Sequence, residues 1–231
     1  MSKYSELLNL IQENKWTDED DFLIDALSVG SIKLIQKCHL ELKNKSIIPI
    51  PPLLRQIQEN IIVLLGLISK TYTVEEFIKK GNQPKKIMNN IKSSSELINI
   101  EEFQKVSDFL LGVKEVLNKF SHSNFEGTMI LFTDNYQVDE TRQFNHSMML
   151  ILIKLIEASL IAILNINYKA LIEMPNPNIV INELKKIKSL KYATRKLPRD
   201  IQDFINNSTY IKGYYNNVFN NLQKFLKDIK F

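Results

Sequence analysis

Two charged side chains stand one helical turn apart in a stretch that is otherwise strongly apolar: Arg55 and Glu59, within PPLLRQIQENIIVLLGLISK over residues 51–70. Arginine carries a planar, permanently charged fork that matches a phosphate or a carboxylate, and a carboxylate one turn away can hold that fork in place. At ~100° per residue, Arg55 and Glu59 fall on one stripe with Ile62 and Gly66, and that stripe is expected to head inward. The plainer alternative is an intrahelical ion pair, which stabilises a helix by only ~0.2–0.5 kcal/mol.

A second candidate is His122, in Ser121-His122-Ser123-Asn124. This polar run should end the preceding helix and leave the imidazole at its end, where a group titrating near neutrality can serve as general base or acid. It could equally cap the last carbonyls or hydrogen-bond a neighbouring helix. His39 and His146 fall in helices with no partner at metal-ligand spacing. Both are read as structural, and neither metal nor cofactor is expected. The single cysteine, Cys38, rules out an intrachain disulfide and a Cys-based zinc site, and fits a reduced compartment.

The third feature is a basic run, Lys185, Lys186, Lys188, Lys191, Arg195, Lys196 and Arg199, with no acid between its members. Projected as a helix, all but Lys186 crowd into one arc that also holds Tyr192, while Leu190, Ala193 and Leu197 line the other side. A basic face with an embedded aromatic suits a phosphate backbone with one stacked base. In so lysine-rich a chain a solvated face has the same signature. The net charge of +4 leans basic without declaring a nucleic-acid binder.

Helices must position these groups. Gly and Pro number only 6 and 7 among 231 residues, too few for the tight turns of an all-β fold, and 44% apolar content supplies a core. The abundance of Asn, Ile and Lys follows from AT-rich codons and points to a low-GC bacterium or its phage. Residues 2–15 predict a short helix. Thr17-Asp18-Glu19-Asp20 predicts the start of a long one to about Lys45, with Thr17 as the cap and Phe22, Leu27, Ile32, Ile35 and Leu42 among its apolar residues. Gly30 is its weak spot or a point of close packing. Ile48-Pro49-Ile50-Pro51-Pro52 predicts an extended corner, since proline restricts the residue before it. The helix after it is apolar all round from Ile61 to Ile68 except for Gly66, the mark of a helix wrapped by others.

Thr73-Val74-Glu75-Glu76 reads as a capping box for a short helix stopping near Gly81, with another short helix from Pro84 to Ile91. Asn99 to Phe120 reads as an amphipathic helix, Gly127 to Tyr136 as irregular or briefly extended, and Asp139 to about Asn167 as one long helix. The apolar run Met148–Ile166 in that helix approaches membrane-spanning length. Gln143, His146, Ser147, Lys154, Glu157 and Asn165 share one polar strip along it, which predicts a bundle helix with one partly wet edge rather than a lipid-facing span. Pro175-Asn176-Pro177 marks the one plausible boundary, dividing a helical bundle (1–174) from a C-terminal helical extension packed on it (175–231), unless both form one domain. No secretory signal is evident at the N-terminus, and a cytoplasmic location is expected.

The order of these parts resembles the helical bundles of the HEPN superfamily over about residues 20–170: a Pro-led helix with Leu53-Leu54-Arg55 and Glu59, a short-helix insert, an amphipathic helix ending at Ser121-His122, then a long apolar helix. The resemblance implies an all-α, up-and-down bundle with additional C-terminal helices. It also implies a metal-independent endoribonuclease of toxin–antitoxin or phage-defence type, often dimeric, with a catalytic Arg shortly before a His. His122 matches the motif histidine and Asn118 the polar residue that follows the Arg. The motif arginine is missing: Glu115, Val116 and Leu117 occupy its place. Either Arg55 supplies the cation from the neighbouring helix, with Glu59 orienting it and the 185–199 face tracking RNA, or the nuclease chemistry is absent. In the second case the chain is a catalytically silent module binding a protein partner in a defence complex, or a sensor of a small anionic ligand.

Overall fold

The computed structural model describes residues 3–93, 117–118, 139–189, 203 and 207. Seven helices, and no strand, are found among the described residues: α1 (Lys3–Gln12), α2 (Glu19–Lys43), α3 (Ile50–Ile68), α4 (Val74–Lys80), α5 (Pro84–Ser93), α6 (Asp139–Tyr168) and α7 (Pro177–Ser189). The all-α class follows, and the helix bounds lie close to those the apolar periodicity predicts.

α3 is the hub. It packs against α2, α5 and α6, and Ile61, Ile62, Val63, Leu64, Leu65, Gly66 and Leu67 are all buried. α6 packs against α2 and α3 and also against α7, while α1 rests on α2. Over Asn145–Tyr168, α6 is long and apolar enough to cross a membrane, yet 78% of its most apolar window is buried inside the protein, so its apolar surface is met by other helices. Gly66 allows the closest approach. A Cβ there would stand 2.7 Å from Tyr72 Cβ and 2.9 Å from Ile87 Cγ2, so only glycine lets the turn after α3 and helix α5 press onto the hub.

Local chemistry explains the ends. Asp18, not Thr17, caps α2: its side chain accepts from Asp21 N at 2.8 Å. Thr17 instead donates its hydroxyl (2.5 Å) and its backbone N–H (2.9 Å) to the Asp21 carboxylate. Thr73 caps α4 as the capping-box pattern predicts, accepting from Glu76 N at 3.2 Å, and Gly81 closes that helix at φ +65°. The proline corner is a helical turn rather than extended. Pro49 sits at φ −73°, ψ −14°, and α3 begins at Ile50 with Pro51 in its first turn, where a missing N–H deprives no intrahelical acceptor. α2, α3 and α6 each end on a lysine in the left-handed region, Lys45 (φ 59°), Lys70 (φ 55°) and Lys169 (φ 49°). After α2 the chain then folds back so that Ser46 N reaches Glu41 O at 2.9 Å. A Cβ at Gly30 would meet nothing within 4 Å, so this glycine is not a close-packing point.

Candidate functional site

α3 brings Arg55 and Glu59 together, with Arg55 Nε 3.2 Å from Glu59 Oε1. The pair does not run into the interior as its stripe suggests. The two side chains retain 29% and 37% of their exposure, because Leu54, Ile57, Gln58 and Ile61 take the inward positions of this half of the helix. Arg55 and Glu59 lie about 100° round from Leu54 and Gln58. They therefore form a charged rim on the hub helix. Asn82, in the link between α4 and α5, donates to the Glu59 carbonyl at 3.3 Å and ties that link to the same edge.

His122 lies outside the described residues, as do Lys191, Tyr192, Arg195, Lys196 and Arg199. Of the predicted basic face, Lys185 is exposed on α7 and Lys188 falls in that helix's last turn. Lys186, the residue outside the arc, is exposed and pairs with Glu183.

The polar strip of α6 is partly wet, as its spacing predicts: Gln143 is exposed, and His146, Lys154 and Asn165 are half-buried. Its two buried members, Ser147 and Glu157, are 1% and 0% exposed and bond to neighbouring helices. Near its start Ser147 Oγ donates to Glu183 Oε2 of α7 at 2.5 Å. Burial raises the Glu183 carboxyl's pKa, but the bonds from Lys186 and Ser147 outweigh burial and leave it below the ordinary carboxylate value. At its far end Asn165 grips the following loop twice, donating to Ile172 O at 2.9 Å and accepting from Ile172 N at 3.1 Å.

Mid-strip, Glu157 gathers three partners. Tyr4 of α1 donates to Oε1, while His39 Nε2 of α2 (3.2 Å) and Lys154 Nζ (2.9 Å) meet Oε2. Burial first, then the Glu157 hydrogen bond and charge, push the Tyr4 phenol well above its usual range. Burial also raises the neighbouring Cys38 thiol to about 12, so it is an inert core group.

A further buried carboxylate, Asp25 of α2, is not apparent from motif or composition. It is 4% exposed and accepts from Trp16 Nε1 at 2.8 Å, from Asn14 Nδ2 at 3.2 and 3.3 Å, and from the Tyr168 hydroxyl at the end of α6. The signal that could reveal it is spacing: Asp25 shares the buried stripe of Ser28, Ile32 and Ile35, where an acid needs donors. Among the described residues no three His, Cys, Asp or Glu side chains converge so as to hold a metal ion.

No protein-family model, curated protein or solved structure matches the chain.

Proposed function

We propose that the chain is a HEPN-like bacterial conflict protein, of phage-defence or toxin–antitoxin type, that acts on or binds RNA. The observation that carries this reading is the Arg55–Glu59 rim: a guanidinium oriented at Nε by a carboxylate, on the one helix the whole bundle is built around, and still reachable by solvent. A cation held in this way suits a phosphate, whose charge rises during RNA cleavage. In this proposal Arg55 clamps the phosphate, Glu59 orients it, and His122 takes the 2′-hydroxyl proton. Lys185, Lys188, Lys191, Tyr192, Arg195, Lys196 and Arg199 track the RNA strand.

The test is incubation of purified protein with total RNA, comparing wild type with Arg55→Ala and His122→Ala. Cleavage lost in both variants supports the proposal. Identical RNA profiles for all three proteins at high concentration remove the nuclease claim.

One observation favours a second reading. Leu117, in the place of the missing motif arginine, is helical and fully buried, so that position offers no cation. A catalytically silent module that binds a protein partner fits this, and a pull-down returning a stoichiometric protein without RNA would decide for it.

A further inference from the structure

Trp16 and Phe22 do not join the core. They are 60% and 52% exposed, with ring centroids 4.9 Å apart at 88°, an edge-to-face pair standing on the surface where the α1–α2 link enters α2. Phe22 belongs to a helix whose apolar residues are expected inward, so its exposure needs a reason. Trp16 is not loose either. Its indole N–H ends on Asp25, and Asp25 is itself clamped by Asn14 and by Tyr168 of α6. A buried carboxylate with donors from two other segments thus fixes the polar edge of a tryptophan whose ring remains in water. Such a ring is positioned before any ligand arrives, which lowers the ordering cost of binding.

The charges around the pair specify the ligand. Glu13, Asp18, Glu19, Asp20 and Asp21 surround it in sequence, against Lys15 and Lys70, the latter 3.7 Å from Asp20. Bonds from the Thr17 hydroxyl and backbone hold the Asp21 carboxyl below its usual range, so it stays anionic. This local negative charge lies on a chain that is +4 overall. Carboxylates repel a phosphate backbone, and aromatic faces attract cations.

We propose that the Trp16–Phe22 surface docks an arginine-bearing segment of a partner protein. A guanidinium can stack on a fixed indole while its N–H fork meets a carboxylate, which a lysine ammonium does less well. Neither Arg55 nor His122 carries any part of this inference, so it holds whether or not the chain cleaves RNA.

Trp16 is the only tryptophan, so intrinsic tryptophan fluorescence of the whole chain reports from this surface alone. The full chain is titrated with an Arg-Gly repeat peptide, with Lys-Gly and Ser-Gly repeats of equal length, and with oligouridylate. The expected result is a saturable emission change with the arginine peptide, weaker with lysine and absent with serine and oligouridylate. Phe22→Ala should weaken the arginine peptide roughly two- to fivefold, the range of one exposed cation–π contact. The double variant Asp18→Asn, Glu19→Gln should weaken it as well, and it keeps an N-cap oxygen so that the fold is undisturbed. Circular dichroism checks each variant, and the charge variant still decides if Phe22→Ala unfolds. No saturable change, an equal response to the serine peptide, a response only to oligouridylate, or indifference to the charge variant each overturns the proposal. So does sedimentation showing dimers that Phe22→Ala dissolves, since the occupant would then be a second copy.

Discussion

The hydroxyl of Tyr4, in the first helix, donates to Oε1 of Glu157, a carboxylate with no solvent exposure in the middle of α6. Together with His39 and Lys154 on Oε2, this contact fastens α1 and α2 to the core helix through one charged atom group. Removing a buried partner leaves the remaining charge uncompensated, which costs more than the pair contributes. Glu157→Ala should therefore lose about 3 kcal/mol, the low end of the range because Lys154 and His39 reach some solvent. Tyr4→Phe removes one bond to a charged group and should lose about 1.5 kcal/mol. Urea unfolding at neutral pH measures both, and a Glu157→Ala variant as stable as wild type would show the cluster to be incidental.

Tyr4 and Tyr168 both have phenols raised above the ordinary value of 10.0, first by burial and then by hydrogen bonding to Glu157 and Asp25 respectively. Above that value the unfolded chain releases phenol protons that the folded chain retains. The tyrosine contribution is therefore complete below pH ~10 and is lost as pH rises past it. Stability should fall from pH 9 to 11 more steeply in wild type than in Tyr4→Phe, Tyr168→Phe. Denaturant midpoints across that range test this, with lysine titration common to both proteins. Parallel curves would contradict it.

Two glycines in core helices predict opposite signs. A methyl at Gly66 meets Tyr72 Cβ and Ile87 Cγ2, and Tyr72 Cβ is fixed to the backbone and cannot swing away. Gly66→Ala should cost about 2 kcal/mol through overpacking. Gly30 lies mid-helix in α2 with open space around it, so Gly30→Ala should stabilise by about 0.5–1 kcal/mol from backbone entropy alone. Thermal midpoints moving in the same direction for both variants would refute the packing account.

Lys45 and Lys169 close α2 and α6 in a backbone region that disfavours any side chain. Each is exposed, so replacement loses little packing. Lys45→Gly and Lys169→Gly should each stabilise by about 0.5–1 kcal/mol, the relief of left-handed strain less the loss of a cation at a helix C-terminus. Chemical denaturation of the single and double variants would check both size and additivity.

Much of this fold is legible in periodicity, since a run like Ile61–Leu67 has no polar side and can only be a wrapped helix. The polar strip of α6 shows where such reading stops. Spacing puts Ser147, Lys154, Glu157 and Asn165 on one face but does not say what faces each: other helices meet Ser147 and Glu157, while Lys154 and Asn165 keep part of their exposure. The role of Asp25 is hidden for the same reason: one of its donors, Tyr168, is 143 residues away. Spacing pairs Arg55 with Glu59 correctly, yet it points their stripe inward, because a core helix can still leave a charged rim at one end.

That rim allows stability and activity to be separated. A partly exposed i,i+4 pair contributes only about 0.2–0.5 kcal/mol, so Glu59→Gln and Arg55→Lys should both fold with midpoints close to wild type. If Arg55 meets phosphate as a planar fork, lysine cannot reproduce its geometry, and Arg55→Lys should lose at least tenfold in RNA binding or cleavage, about 1.4 kcal/mol. Glu59→Gln keeps an oxygen for Arg55 Nε but removes the charge that holds it. Its loss should therefore be smaller and mainly in turnover rather than in affinity. Filter binding and cleavage assays on the same preparations distinguish the two effects. An Arg55→Lys protein with wild-type RNA affinity would leave the pair as helix stabilisation alone.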